Sequence, residues 1–284
     1  MTIDSHQHFW KYDPARDGWI TDEMSLLRRD FLPQDLERET DSNGVDGSIA
    51  VQADQSEDET RFHLRLAENN KRIAGVVGWA DLCSPGIRER LECFSQFEKL
   101  CGFRHIAQSE PDERFLVRRE FLRGIAALRE FGFTYDILIY PKQLPAAIDL
   151  AARFPEQPFV VDHLAKPEIK AGRREPWATH IRTIAQNANV YCKLSGLVTE
   201  ANWCEWKSED FRPYLDVVFE AFGANRLMFG SDWPVCLLAA SYRQVKQIIE
   251  DYVQAQEPAH KENIFGGNAV RFYRLKAASH GLAA

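Results

Sequence analysis

The chain has 284 residues, 45% hydrophobic and 27% charged, with 35 Lys and Arg against 42 Asp and Glu for a net charge of −7. That supplies the core of one large α/β barrel or of two ordinary domains and excludes an intrinsically disordered chain. The acidic balance argues against a nucleic-acid or anionic-membrane partner, and no apolar run approaches the ~20 residues that span a bilayer.

In chain order, the first expected strand is 3–8, which carries Asp4-Ser5-His6-Gln7-His8. Side chains on a strand alternate between faces, so His6 and His8 point the same way. Residues 9–32 then form a long connection containing Phe9, Trp10, Tyr12, Trp19 and Phe31, ahead of a helix that begins near Pro33. Ordinary βα loops hold ~2–6 residues, and longer ones are often lids or binding loops. Trp10 or Trp19 is expected to cover a substrate; plain packing of the loop is the competing reading.

Seven further apolar or alternating runs follow, at 47–52, 73–79, 102–106, 134–140, 158–164, 190–196 and 226–232. Helical patterns separate them, among them 115–131, 141–154 and 244–254, the last with Val245, Ile248, Ile249, Tyr252 and Val253 in one stripe. Eight strands alternating with helices predict a single-domain (β/α)8 TIM barrel over 1–284. An open doubly wound sheet is the alternative, and it lacks a Gly-x-Gly-x-x-Gly after the first strand. None of the six cysteines (Cys83, Cys93, Cys101, Cys192, Cys204, Cys236) lies in Cys-x-x-Cys spacing. They read as buried, reduced thiols of a cytoplasmic protein, for which no signal peptide is expected ahead of the first strand.

Charged and imidazole groups gather at the C-terminal strand ends, where barrel enzymes carry their sites. These are His6 and His8, Arg104 and His105, Asp162 and His163, and Asp232 in Phe229-Gly230-Ser231-Asp232-Trp233-Pro234. Each alone has an ordinary structural role open to it: a core histidine, a paired arginine, a helix cap. Their joint placement marks a functional site. His63, His180, His260 and His280, in expected helices or the tail, read as structural.

His-x-His on the first strand with Gly-Ser-Asp-Trp-Pro on the eighth resembles the amidohydrolase superfamily, and more closely its amidohydrolase-2 branch of lactonases. Further segments that carry the likeness are Gly102-Phe103-Arg104-His105, Val161-Asp162-His163-Leu164-Ala165-Lys166-Pro167, Lys193-Leu194-Ser195-Gly196 and Gly267-Asn268-Ala269-Val270-Arg271-Phe272-Tyr273, so it extends over nearly the whole chain. The resemblance implies hydrolysis of a sugar lactone of the L-fucono-, L-rhamnono- or galactono- type. A pyrone dicarboxylate or muconolactone hydrolase, a metal-dependent decarboxylase and a non-catalytic sugar-acid binder are the other readings.

On that basis Asp232 is the expected general base toward water, with His163, His6 or His8 polarising the carbonyl. Arg104, His105, Lys166, Trp10, Trp19 and Trp233 are the expected substrate contacts. His6, His8 and Asp232 are enough for one divalent ion such as zinc; a metal-free site using the same residues stands beside that reading. A binuclear centre is not expected, because the fourth strand ends in His105 rather than a lysine and the fifth offers no histidine. The expected partner is a small lactone, with no nucleic acid and no membrane; a homo-oligomer is compatible with such a barrel.

Overall fold

The computed structural model describes residues 1–276, so His280 lies outside the described residues. Eight strands form one sheet: β1 (Ile3–Gln7), β2 (Gly47–Val51), β3 (Ile73–Gly78), β4 (Leu100–His105), β5 (Thr134–Ile137), β6 (Phe159–Val161), β7 (Val190–Leu194) and β8 (Leu227–Phe229). Each pairs in parallel with the next. The sheet closes where Gln7 bridges Trp233, with His8 N donating to Trp233 O at 2.7 Å and Asp232 N to His6 O at 2.8 Å. This is the expected (β/α)8 barrel.

Asp4 fastens the seam from the side. Its carboxylate accepts from Ser231 N at 2.8 Å, Ser231 Oγ at 2.6 Å and the Tyr242 hydroxyl at 3.0 Å. The two motifs from opposite ends of the sequence are therefore bonded to each other. Asp4 and Ser231 serve closure, which leaves the neighbouring histidines and Asp232 free for the site.

Alternation sorts the strand residues. Ile49, Val51, Val77, Val160 and Met228 form an inner cluster that α9 (Asn268–Phe272) covers with Ala269 and Phe272. Their neighbours Ala50, Val76, Phe159, Val161 and Leu227 pack outward into the core shared with the helices. In α8 (Tyr242–Gln256) the buried face is Val245, Ile248, Ile249 and Val253, and the Ser241 hydroxyl caps the helix by accepting from Gln244 N. The stripe expected at 115–131 is broken: a 3₁₀ turn at Phe115–Val117 precedes α4 (Arg119–Glu130), because Arg118 between them is extended. Pro141 likewise opens a 3₁₀ turn ahead of α5 (Leu144–Arg153).

β6 and β8 end sooner than their apolar runs suggest. After Val161 the chain enters a left-handed turn at His163–Lys166, and Asp232 also adopts positive φ. Cys93 and Cys204 are exposed rather than buried, and all six thiols are free. Among the described residues no helix is long and apolar enough to cross a membrane.

Candidate active site

The C-terminal strand ends surround a cavity of about 490 Å³. Its floor is His8, Arg104, His163 and Asp232. The loops after β4 to β7 supply a polar wall of Gln108, Ser109, Tyr140, Lys166, Thr199 and Glu200. Trp10, Trp19 and Met24 from the long loop, with Val235 and Leu238 after β8, add apolar lining, as do Ile106, Leu138 and Trp203.

Asp232 Oδ1 is ringed by three imidazoles: His8 Nε2 at 3.3 Å, His163 Nε2 at 3.8 Å and His6 Nε2 at 3.9 Å. Burial alone would raise the Asp232 carboxyl, but His163, a hydrogen bond from His8 and the further charges of His6 and His8 outweigh it. The group is held well below the usual carboxylate range. His163 is pushed down to about 4, by burial first, against the opposing pull of Asp232 and Asp162. His6 is lowered well below its usual value, again by burial, with Asp162 opposing and Lys193 adding to the effect.

Hydrogen-bond partners constrain the rings. His8 Nδ1 lies 2.8 Å from Val51 O, an acceptor, so Nδ1 carries a proton. His8 Nε2 then faces a carboxylate oxygen, and two lone pairs do not sit stably at that separation. A proton on Nε2, making an imidazolium, or a cation between the two groups satisfies the contact. His163 Nδ1 lies 2.9 Å from Ser195 Oγ. Its ring fits because residue 196 is glycine: a Cβ there would come within 2.7 Å of the imidazole, and φ is +65°.

Beneath the floor lies a charge network that the sequence reading passed over. Lys193, fully buried on β7, contacts Asp136 Oδ2 at 2.5 Å, Asp162 Oδ1 at 3.0 Å and His6 Nδ1 at 3.1 Å. Tyr273, just beyond α9, donates to Asp136 Oδ2 at 2.8 Å. Burial would raise Asp162, but Lys193, His6 and Arg104 together hold it well below the carboxylate range. The available signal was a charge inside each of two apolar runs, Tyr135-Asp136-Ile137 and Cys192-Lys193-Leu194.

Arg104 reaches the floor, yet its donors are already engaged. Nη1 meets Asp162 Oδ2 at 2.9 Å and His6 Nε2 at 3.1 Å, while Nε and Nη2 go to the Gln52 side chain and backbone. Its geometry is that of a positioning cation. His105 does not reach the cavity. As the neighbour of inward-facing Arg104 it turns outward, stacks on Phe115 at 4.7 Å, accepts from Trp79 Nε1 at 3.3 Å and meets Glu110 at 2.7 Å. Trp233 is also outside the cavity, buried edge-on against Phe31 at 5.3 Å and Phe9 at 6.2 Å. Trp10, Trp19 and Lys166 do line the cavity. His63 is buried and bonded to Phe9 O, and His260 pairs with Glu257.

The spacing of the three Nε2 atoms about Asp232 Oδ1 is near the ~3.4 Å edge of a tetrahedron of ligands at ~2.1 Å from zinc. His6, His8 and Asp232 form one such cluster, and His6, Asp162 and His163 another. Both sets share His6, whose Nε2 lies 3.1 Å from the Arg104 guanidinium and whose Nδ1 lies 3.1 Å from Lys193 Nζ. A fixed cation thus stands at each ring nitrogen of His6, so the donor set does not fit a resident dication at His6.

Among known proteins, an L-fucono-1,5-lactonase of Burkholderia multivorans is 43% identical over 97% of this chain and 96% of its own. An L-fucono-1,5-lactonase of Burkholderia ambifaria is 36% identical over 98% of this chain and 97% of its own. A crystal structure of an amidohydrolase from Burkholderia multivorans with bound zinc superposes with a TM-score of 0.90 at 42% identity, covering 97% of this chain and all of the other. The family model described as amidohydrolase matches residues 3–275, and the chain, with its barrel closed on His-x-His and Asp232, belongs to that family.

Proposed function

We propose that the protein hydrolyses a sugar lactone of the L-fucono-1,5-lactone type to its aldonic acid. The observation that carries this reading is the Asp232 carboxylate, ringed by three imidazoles at the floor of a cavity lined by polar and aromatic side chains. The likeness to two L-fucono-1,5-lactonases supports the substrate class.

Asp232 is ionised at neutral pH and accepts a proton from the attacking water as its oxygen bonds to the lactone carbonyl carbon. A carboxylate held this low is a weak base, so the carbonyl must be polarised at the same time. The imidazolium form of His8 supplies one N–H donor toward the developing oxyanion. Ser195 donating to His163 Nδ1 leaves a second on His163 Nε2. As the tetrahedral intermediate collapses, the ring C–O bond breaks and the proton on Asp232 passes to the departing alkoxide. Water and lactone become one hydroxy acid, with no other reactant consumed.

Because Arg104 and Lys193 already face His6, we propose that turnover needs no metal. The enzyme is expected to act in the cytoplasm, the compartment that keeps unpaired cysteines reduced. A panel of sugar lactones read with a pH indicator tests the activity, and acid release from none of them overturns it. The same assay after chelation and metal analysis tests the second point: undiminished rates are expected, and a loss reversed by zinc would refute it.

A dicarboxylate lactone fits less well. Each of its carboxylates needs a partner inside the cavity. Arg104 has spent its donors, and Lys166 is paired with Glu200 at 3.5 Å.

A further inference from the structure

Three groups on the polar wall take no part in the chemistry just described. Glu200, on the loop after β7, lies at the cavity with its side chain 21% exposed, and among the described residues Lys166 is its only ionic partner, at 3.5 Å. Lys166, last residue of the left-handed turn after β6, also stands over the Tyr140 ring at 5.5 Å. Gln108, after β4, is held by its backbone, N donating to Leu138 O at 3.0 Å, while its side-chain Oε1 is buried with no hydrogen-bond partner. A buried amide oxygen without a donor costs free energy unless something supplies one.

All three line the same cavity, together with the apolar side chains of Trp10, Trp19 and Leu238. Glu200 offers an acceptor to the cavity, Gln108 an amide whose oxygen still lacks a donor, and Lys166 neutralises and steadies the carboxylate. A ligand that answers this wall brings hydroxyl donors along one edge and carries no negative charge there. An anionic edge would meet Glu200, and an apolar edge would strand both acceptors.

We infer that Glu200, held by Lys166, and Gln108 read the ring hydroxyls of the substrate, and that they set the preference for polyhydroxylated lactones over bare or deoxy ones. Glu200 accepts from a pair of hydroxyls through its two oxygens, and the Gln108 amide, turned so that its oxygen meets the cavity, accepts from a third. The inference rests on the lactonase reading and names the specificity residues of that same site.

The test pairs substrates with variants. Wild type, Glu200→Gln and Gln108→Met are assayed on a polyhydroxylated δ-lactone and on unsubstituted δ-valerolactone. In parallel, calorimetry measures binding of the polyhydroxylated aldonate and of a deoxy analogue. Glu200→Gln is expected to lose roughly 10–100-fold in kcat/KM on the polyhydroxylated lactone, at least tenfold more than on valerolactone. Gln108→Met is expected to show the same asymmetry at smaller size, mainly in KM. Equal losses on both substrates, or no loss on either, would overturn the assignment. If wild type turns over no lactone, calorimetry decides: aldonate binding weakened by Glu200→Gln upholds the hydroxyl wall while hydrolysis fails, and binding indifferent to both variants refutes the wall as well.

Discussion

Asp232 and Lys193 are both buried charges, and they stand to their surroundings in opposite ways. Asp232 opens onto the cavity, its carboxylate kept ionised by imidazoles that can trade protons. Asp232→Asn keeps the shape and removes the base, so kcat is expected to fall roughly 10²–10⁴-fold in steady-state assays while Tm stays within a few degrees. Lys193 is sealed in, between Asp136 and Asp162. Lys193→Met strands two carboxylates, and denaturant titration is expected to show a loss of about 3–5 kcal/mol. The contrast bears on what a sequence shows at this scale. His6, His8, His163 and Asp232 were legible because imidazoles and a carboxylate at strand ends have few other uses. His105 was misplaced because period-two alternation cannot turn two neighbours, Arg104 and His105, inward together. Lys193 and Asp136 were legible in principle, as charges in the middle of apolar runs, but their pairing depends on which strands adjoin.

The element that does most for the site is the turn at His163–Lys166, four successive non-glycine residues with φ between 51° and 57°. Left-handed backbone costs roughly 1–2 kcal/mol per such residue, and the surrounding packing must hold it. Leu164 and Ala165 are fully buried, and Trp177 Nε1 donates to Leu164 O at 2.7 Å. The turn sends His163 to the floor and Lys166 to the wall. Nothing in the residues Asp162-His163-Leu164-Ala165-Lys166 signals that conformation, which is why β6 was expected to run on to Leu164. Its support reaches across to β7, where Gly196 leaves room for the His163 ring. Gly196→Ala adds a methyl where His163 stands and strains a left-handed φ. It should lower Tm by several degrees and kcat by at least tenfold, and unchanged kcat would show that the ring tolerates displacement. The long loop after β1 is simpler. Trp10 is buried against Phe31 at 5.2 Å and Trp19 is 40% exposed at the cavity wall. Trp19→Ala is expected to raise KM severalfold with little effect on Tm, whereas Trp10→Ala should cost about 3–5 kcal/mol of stability.

At the scale of the whole molecule the barrel was legible because eight apolar runs alternating with helical stripes leave few other folds, and because two distant motifs need a closed sheet to meet. Acid stability is less visible in the sequence. His63, in α2 (Glu57–Asn69), donates from Nε2 to Phe9 O at 2.8 Å, and its other ring nitrogen is buried without a partner. Burial lowers it from 6.5 to about 4. Between those values the unfolded chain binds a proton that the folded one does not, so stability is complete above pH 6.5 and drains away as pH falls toward 4. Between pH 7 and pH 5 this one group should remove roughly 2 kcal/mol. His63→Gln retains a donor for Phe9 O, and denaturant titrations at the two pH values are expected to show a correspondingly shallower drop.

The seam between β1 and β8 also fixes when the enzyme comes into being. Ribosomes deliver His6 and His8 some 225 residues before Asp232. Asp4 waits equally long for Ser231 and Tyr242. A nascent or prematurely terminated chain therefore carries imidazoles without their carboxylate and an open sheet without its fastening. Hydrolysis begins only once β8 has joined β1, and fragments cut short before β8 are inert however well their individual βα units hold together.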